Sequence, residues 1–212
     1  MPNDPTDTGH LIERLRAGDR QALTDLFQRH RNRLRRMVEL RMDARLQGRV
    51  DASDVLQDAF LDAVTYLDTY LRGTDLSAFL WMRCVVSQRL AIYHRRHFGT
   101  KMRDVAQEVS IYRDPLPQAS SAALASMLLG RLTSPSNAAI RAEQVLRVQE
   151  ALNALDPLDR EVIALRQFEE LNRAETAQVL GITEEAGAKR YMRALRRLKA
   201  VLAAQPGGRE EI

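Results

Sequence analysis

The chain contains a single cysteine, and aromatic residues make up only 5% of its 212 positions. One cysteine, Cys84, excludes an internal disulfide, and in the apolar segment 79–86 it is most simply a small core residue. No apolar run approaches the roughly 20 residues that a membrane span requires, and the polar start does not resemble a secretory signal. We therefore expect a cytoplasmic protein without a membrane span.

Other patterns are missing as well. The sequence has no Gly-rich phosphate loop, no nucleophile with a histidine partner and no metal-ligand spacing, so we expect neither an enzyme nor a cofactor or metal site. Alternating β-branched runs bounded by turn residues are also missing, whereas Leu, Ala, Arg and Glu are abundant. This composition predicts an almost entirely α-helical protein.

The formal net charge is only +4, but the charges are distributed unevenly. Cations are concentrated in segments 29–49 and 189–199, while segment 50–71 carries five aspartates and no cation. An acidic face between two basic zones suggests one protein partner and one polyanion. Charge scattered over solvated helix surfaces is the alternative interpretation.

Apolar residues recur at three- and four-residue steps, as amphipathic helices require. The Pro- and Ser-rich stretches 114–121 and 133–136 are typical of loops, with a short helix between them at 122–132. We predict an all-α fold of two small helical domains joined by a flexible linker, the C-terminal domain being a helix-turn-helix. The expected divisions are a tail at 1–9, a first domain at 10–99, a linker at 100–134, a second domain at 135–204 and a tail at 205–212.

The helix-turn-helix is predicted from a short helix that begins with the capping-box spacing of Asn172 and Glu175, a three-residue turn that begins at Gly181, and a longer basic helix capped by Thr183. On a helical wheel one side of the long helix carries Gly187, Tyr191, Ala194 and Leu198. We expect this side to pack on the preceding helices, with Gly187 allowing a close approach. The opposite side is basic and suits a DNA groove, although a solvated basic face is the alternative.

The residues at the start of such a recognition helix usually reach base edges, whereas later cations hold phosphates. We place Glu185, Ala188, Lys189 and Met192 at the bases, because Glu can accept from cytosine and Lys can donate to guanine. The predicted phosphate contacts are Arg193, Arg196 and Lys199, with Arg173 of the preceding helix as a further backbone contact.

Two upstream helices carry further signals. Asp51, Asp54, Asp58 and Asp62 lie three, four and four residues apart, so they share one helix side whose repulsion a cationic partner would relieve. A solvated acidic face is one alternative. A metal ion shared by these carboxylates is another, but no histidine lies nearby to complete such a site.

Segment 89–98 interleaves cations with aromatics, which suits single-stranded DNA. Trp81, just before it, is more typical of a core residue.

Several segments resemble the extracytoplasmic-function (ECF) sigma factors of bacterial RNA polymerase. "ALNALDPLDREVIALRQFEELNRAETAQVLGITEEAGAKRYMRALRRLK" resembles their promoter-reading C-terminal domain. "HLIERLRAGDRQALTDLFQRHRNRLRRM" and "DASDVLQDAFLDAV" resemble their opening helices and their polymerase-binding helix. "FLWMRCVVSQRLAIYHRRHFG" resembles the helix that meets the melted promoter. The resemblance covers about residues 10–100 and 138–203.

The resemblance implies three binding surfaces. The acidic helix would dock on the clamp coiled-coil of the largest subunit of core RNA polymerase through Asp54, Gln57, Asp58 and Leu61. The basic-aromatic helix would bind the −10 element of promoter DNA through Arg89, Tyr93, His94, Arg95 and Arg96, and the helix-turn-helix would bind the −35 element. The family also implies an anti-sigma factor as a partner. The sequence departs from the family at Asp58, usually Glu, and in a longer stretch before the arginine pair.

Two other functions remain open at this point. A stand-alone helix-turn-helix transcriptional regulator with a helical sensor domain would use the C-terminal domain, but it gives no role to the acidic and basic-aromatic helices. A helical adaptor that binds only protein would leave the cations of 189–199 unexplained. A sigma factor that directs promoter-specific transcription initiation accounts for all three surfaces.

Overall fold

The computed structural model describes residues 5–46, 48–98, 118–132 and 138–204, and these residues form helices and turns without a strand. The predicted all-α class is confirmed. The chain divides between residues 117 and 118 into two compact units, each with its own core. Among the helices of these four ranges, none combines the length and the apolar character that crossing a bilayer demands.

The described residues of the first unit form the helices α1 (Pro5–Arg16), α2 (Gln21–Arg41), α3 (Ala52–Leu71) and α4 (Ala78–Phe98). Helix α2 contacts the other three, and α3 also packs against α4. Helix α1 begins at Pro5, so the predicted tail at 1–9 needs correction for its last five residues. Proline fits the first turn of a helix because its missing N–H has no partner there anyway.

Aromatic side chains fill the centre of this unit. Trp81 is buried and stacks on Tyr70 with ring centroids 4.4 Å apart, which confirms its expected core position. Cys84 is buried one turn away. The Arg33 guanidinium lies 3.5 Å above the Phe79 ring, an arrangement in which the negative ring face attracts the cation.

The second unit contains the remaining helices. They are α5 (Ser121–Leu132), α6 (Ala138–Asn153), α7 (Pro157–Ile163), α8 (Arg173–Leu180) and α9 (Glu184–Ala204). Helix α7 continues as one π-helical turn, Ala164–Phe168. Helix α9 contacts α6, α7 and α8, and α5 packs on α6.

Helix α5 belongs to this second unit, although the sequence analysis placed it in the linker. Its side chains Leu124, Ala125 and Leu129 are buried. The segment before it is also attached, because the Ala119 N–H donates to Glu161 Oε2 at 3.2 Å. The second unit thus starts at Gln118, not near residue 135. The expected start of the second domain, residue 135, lies outside the described residues.

Candidate functional site

The acidic helix α3 begins with a capping box. Asp51 Oδ1 accepts from the Ser53 N–H at 2.7 Å, and Asp54 Oδ2 accepts from the Asp51 N–H at 3.0 Å. The backbone bond from Ser53 lowers the pKa of the Asp51 carboxyl. Two carboxylates at the helix N-terminus also match the positive end of the helix dipole. The predicted polymerase contact Asp54 is therefore an exposed residue that also caps its own helix.

The next two aspartates of this side interact with α4. Arg89 binds Asp62 through two parallel hydrogen bonds, of which Nε to Oδ2 measures 2.7 Å. Asp58 Oδ2 accepts from the Tyr93 hydroxyl at 3.0 Å and lies 3.7 Å from Arg89 Nη1. The sequence predicted that an external cation would relieve the repulsion along α3. The structure shows that an internal cation, Arg89, already does part of this.

Arg89 is consequently a poor candidate for a DNA contact in the free protein. Its side chain is only 18% exposed, and its fork of donors is occupied by the Asp62 carboxylate. Bidentate arginine–carboxylate pairs are among the stronger and more geometrically specific hydrogen-bonded pairs in proteins. The prediction that Arg89 binds the −10 element therefore does not fit this geometry. The i to i+4 spacing of Asp58 and Asp62 opposite one arginine was the sequence signal for the pair.

The other predicted −10 residues divide into two groups. Arg95 and Arg96 are exposed at the end of α4 and can meet phosphates. Tyr93 and His94 are half-buried. Burial lowers the pKa of His94, so this side chain is mainly neutral near pH 7 and would offer a hydrogen bond or a ring face, not a charge. Burial and the Asp58 carboxylate raise the pKa of Tyr93, whose hydroxyl remains a donor.

Gln57 and Leu61 lie beside these aspartates, at the edge of α3 that faces α2. Both are exposed, and 62% of Leu61 faces solvent, a large value for an apolar side chain. Leu61 borders a groove of about 390 Å³ between the two helices. The groove is lined by Thr24, Phe27, Gln28, Arg31, Ser53, Leu56, Gln57, Phe60 and Leu61. The sequence predicted the two residues but not this groove, which forms where α2 and α3 pack together.

The helix-turn-helix forms as the local sequence predicts. The Glu175 N–H donates to Asn172 Oδ1 at 2.8 Å and the Asn172 N–H donates to Glu175 Oε2 at 3.0 Å, which completes the predicted capping box. Gly181 ends α8 with φ +64°, a left-handed conformation that glycine adopts without a Cβ penalty. Thr183 Oγ1 then accepts from the Ala186 N–H at the start of α9.

Helix α9 has the two sides that the wheel predicted. Gly187, Ala194 and Leu198 are buried, and Tyr191 is half-buried. Of the predicted DNA contacts, Ala188 is half-buried and the others are exposed, namely Arg173, Glu185, Lys189, Met192, Arg193, Arg196 and Lys199. Lys189 pairs with Glu185 at 2.5 Å across one helical turn. The predicted DNA contacts of α9 therefore share one side of this helix and can meet one ligand. Arg173 stands apart from them at the start of the neighbouring helix α8.

Two arginines of α9 that the sequence analysis left unassigned hold this helix in place. Arg190 Nη1 donates to Asp159 Oδ1 at 2.8 Å, and Arg197 Nη1 donates to Asp159 Oδ2 at 3.4 Å. The Asp159 side chain is 2% exposed, and burying a carboxylate is costly unless cations such as these pair with it. Arg190 and Arg197 are seven residues apart and flank the packed side on the wheel, which was the signal for this role.

The Arg197 side chain is also exposed to solvent. Its side chain is 59% exposed and helps to form a shallow basic hollow of about 520 Å³. The hollow is lined by Lys189, Arg193, Arg196, Arg197 and Ala200. Four cations around an open depression form a surface that attracts a phosphate backbone.

Comparisons with known proteins agree with this geometry. The family "Sigma-70, region 4" matches residues 146–198, which include α8 and most of α9. SigD of Mycobacterium tuberculosis, an ECF RNA polymerase sigma factor, is 32% identical over 184 residues, covering 86% of this chain and 78% of that protein. SigM of the same organism, also an ECF sigma factor, is 29% identical over 188 residues, covering 88% of this chain and 80% of its own length.

The fold is similar to that of a solved structure described as CnrH in complex with the cytosolic domain of CnrY. The TM-score is 0.53 and the identity 23%, with 92% of this chain and 97% of that chain covered. This likeness supports the all-helical fold. The SigD relationship extends over both units of the chain and over most of the relative. The comparisons do not favour a stand-alone regulator, and the chain belongs to the ECF family of RNA polymerase sigma factors, which direct transcription initiation.

Proposed function

We propose that this sigma factor binds core RNA polymerase through α3, the −10 element through α4 and the −35 element through α9. The observation that carries the proposal is α9, whose basic side is exposed while its opposite side is buried against α6, α7 and α8. Arg190 and Arg197 bind Asp159 and so orient α9 with its basic side toward solvent. RNA synthesis belongs to the polymerase, and we assign no reaction to this chain.

Run-off transcription tests the proposal as a whole. Purified core polymerase and the full chain would be combined on a library of genomic fragments. We expect discrete transcripts that depend on the chain and share two upstream sequence elements. Transcripts that are identical with and without the chain would contradict the proposed function, and the shared elements would supply the promoter sequence for the tests below.

The polymerase-binding assignment of α3 rests on Asp54, Gln57, Asp58 and Leu61, which stay exposed or partly exposed in the free chain. Charge reversal, Asp54→Lys together with Asp58→Lys, should weaken core binding by at least about tenfold, because like charges across an interface repel. Labelled full chain titrated with core polymerase gives the affinity. If reversal at both positions left it unchanged, the clamp assignment would be wrong.

Controls separate lost charge from lost capping. Asp68→Lys makes the same change at an exposed position near the end of α3, where it breaks only a surface pair with Arg20. It should leave core binding unaltered. Asp54→Asn removes the charge but keeps an oxygen for the Asp51 N–H, so it tests the charge without removing the cap.

The −35 assignment predicts that two substitutions in α9 impair promoter binding in different ways. Lys189→Ala should lower promoter affinity by roughly tenfold and relax the preference at one base pair, because it is proposed to contact a base edge. Arg196→Ala should weaken all sequences alike and reduce the slope of log affinity against log salt by about one. Holoenzyme footprinting across a salt series measures both.

Arg147→Ala is the matched control, since Arg147 is a partly exposed cation of α6 that pairs with Glu143 one turn away. It should leave promoter affinity and the salt slope as they are, and all three variants should bind core normally. Unchanged promoter occupancy in Lys189→Ala and Arg196→Ala would refute the recognition-helix assignment.

We also propose an anti-sigma factor as a regulatory partner and the cytoplasm as the place of action, where promoter DNA and polymerase are. The support for the partner is that CnrH, whose fold is similar, is in complex with the cytosolic domain of CnrY. A genomic two-hybrid screen with the full chain as bait tests the partner. Recovery of core polymerase subunits alone would contradict it. Cell fractionation tests the location, and recovery of the chain mainly with membranes would count against it.

A further inference from the structure

Asp58 lies where two proposed binding surfaces meet. It is one of the residues assigned to core polymerase on α3, and it accepts a hydrogen bond from Tyr93, which is assigned to the −10 element on α4. Asp62 and Arg89 complete the group beside them. We refer to Asp58, Asp62, Arg89 and Tyr93 as the Asp58 cluster.

Within the cluster, the Asp58 side chain is turned toward α4. It is 37% exposed, whereas Leu61, less than one turn further along α3, is 62% exposed. Two donors of α4 face the same atom, Oδ2: the Tyr93 hydroxyl at 3.0 Å and Arg89 Nη1 at 3.7 Å. The bidentate pair between Arg89 and Asp62 keeps α4 close enough for both contacts.

A basic partner that docks on the outer side of α3 would draw the Asp58 carboxylate outward. The hydrogen bond from Tyr93 opposes this movement, because a bond to a charged acceptor is stronger than one between neutral groups. When the carboxylate turns to the partner, the Tyr93 hydroxyl loses its acceptor. It then has a donor free for a base or a phosphate of the adjacent DNA strand.

We propose that the bond between Tyr93 and Asp58 couples the two surfaces: it restrains polymerase docking in the free chain, and docking releases the Tyr93 hydroxyl for the −10 strand. This inference rests on the proposed roles of Asp58 and Tyr93. Coupling between two sites is reciprocal, so a strand that binds Tyr93 also raises the affinity for polymerase. Arg89 is a positioning residue in this arrangement, since it acts through Asp62 and Asp58.

The test is Tyr93→Phe, which removes the hydroxyl and keeps the ring. If the bond restrains docking, the full-length variant should bind core polymerase more tightly, by about three- to tenfold for one hydrogen bond. The gain should disappear when Asp58→Ala is introduced into both the parent and the variant, because no carboxylate remains to be released. Titration of labelled chain with core polymerase measures all four proteins.

Tyr66→Phe is the matched control, a hydroxyl removed from a partly exposed tyrosine of α3 outside the cluster, and it should leave core affinity unchanged. A purely structural role for Tyr93 predicts equal or weaker binding and a lower melting temperature. Unchanged or weaker core binding by Tyr93→Phe would overturn the coupling, as would an equal gain in the Asp58→Ala background.

The outcomes also separate this inference from the proposed function. If Asp58→Ala alone leaves core affinity unaltered, the polymerase assignment of Asp58 fails, and the coupling fails with it. If Asp58→Ala weakens core binding and Tyr93→Phe does not strengthen it, only the coupling fails.

Discussion

His30 is a titratable side chain inside the core of the first unit. It is 3% exposed, and its ring lies 5.3 Å from that of Phe79. Burial, followed by the nearby cations Arg33 and Arg29, lowers its pKa to about 4. A histidine in these surroundings is neutral at physiological pH, and protonating it means placing a charge among apolar and cationic groups.

The folded-state pKa of His30 lies below the ordinary value of 6.5, so its effect on stability has a definite sign. The unfolded chain takes up the proton first as pH falls, and stability is lost progressively between pH 6.5 and 4. At pH 4 the loss should be about 3 kcal/mol in the free energy of unfolding. Urea unfolding followed by the fluorescence of Trp81, the single tryptophan, reports on this unit alone.

His30→Leu should flatten most of this pH dependence, whatever it does to stability at pH 7. A smaller slope of the same sign will remain from His94, whose pKa is also lowered by burial. A His30→Leu protein with the same slope as the parent would show that acid destabilisation arises elsewhere.

For single residues, the sequence predicts which charged side chains matter better than it predicts which way those side chains face. The aspartate spacing of α3 and the wheel of α9 identified the charged residues that matter. Whether a cation faces solvent or a carboxylate depends on the neighbouring helix, which is why Lys189 stays on the surface and Arg89 pairs with Asp62. Both are basic residues of basic helices, and only packing distinguishes them.

At the level of single helices, α9 contains an internal glycine that is not one of its proposed DNA contacts. Gly187 lies in its first turns on the buried side, which suggested that neighbouring helices approach closely there. The structure corrects this expectation: a Cβ at this position would meet only Ile182 Cδ1, at 3.8 Å, an ordinary contact. The cost of a helical glycine is therefore not offset by tighter packing.

Gly187→Ala should stabilise the second unit by up to about 1 kcal/mol, because alanine loses less backbone entropy in a helix. Gly181→Ala should have the opposite effect on stability and serves as the comparison. Its added Cβ would meet no atom within 4 Å, but φ is +64°, so the substitution should destabilise by about 1 kcal/mol through the backbone alone. Thermal unfolding followed by circular dichroism measures both. Destabilisation of similar size in both variants would show that Gly187 is needed for packing.

Capping signals made these elements predictable. The Asn172 and Glu175 capping box, the Gly181 turn and Thr183 all lie where the sequence indicated, because each satisfies backbone groups within its own few residues. The π-helical turn at Ala164–Phe168 was missed. It is not marked by proline or glycine, and its main-chain pattern depends on how Leu165 and Phe168 reach the core.

At the level of the whole molecule, the two units imply two folding domains with a boundary at residue 118. Helix α5 is the element that decides the boundary. It packs on α6, and Arg160 Nη1 donates to Ser121 Oγ at 3.3 Å. The sequence could identify α5 as a helix between two loop-like stretches. It could not show which unit the helix packs on, since that depends on contacts about 40 residues away along the chain.

The boundary can be tested with two fragments. Residues 118–212 should fold into a helical domain with a cooperative thermal transition. Residues 135–212 lack α5 and should melt at a clearly lower temperature, because each fully buried leucine contributes about 2 kcal/mol. Circular dichroism measures both transitions. Equal melting temperatures would show that α5 belongs to the linker and not to the second domain.

The chain's only thiol, Cys84, is buried in the core of the first unit. Thiol-reactive dyes need an accessible thiolate, so the native protein should take up little label. A cysteine introduced at an exposed position outside the proposed contacts, such as Thr65→Cys on α3 or Ala203→Cys on α9, would then become the preferred attachment point. One probe on each helix would let the arrival of polymerase and of promoter DNA be timed separately on the same molecule.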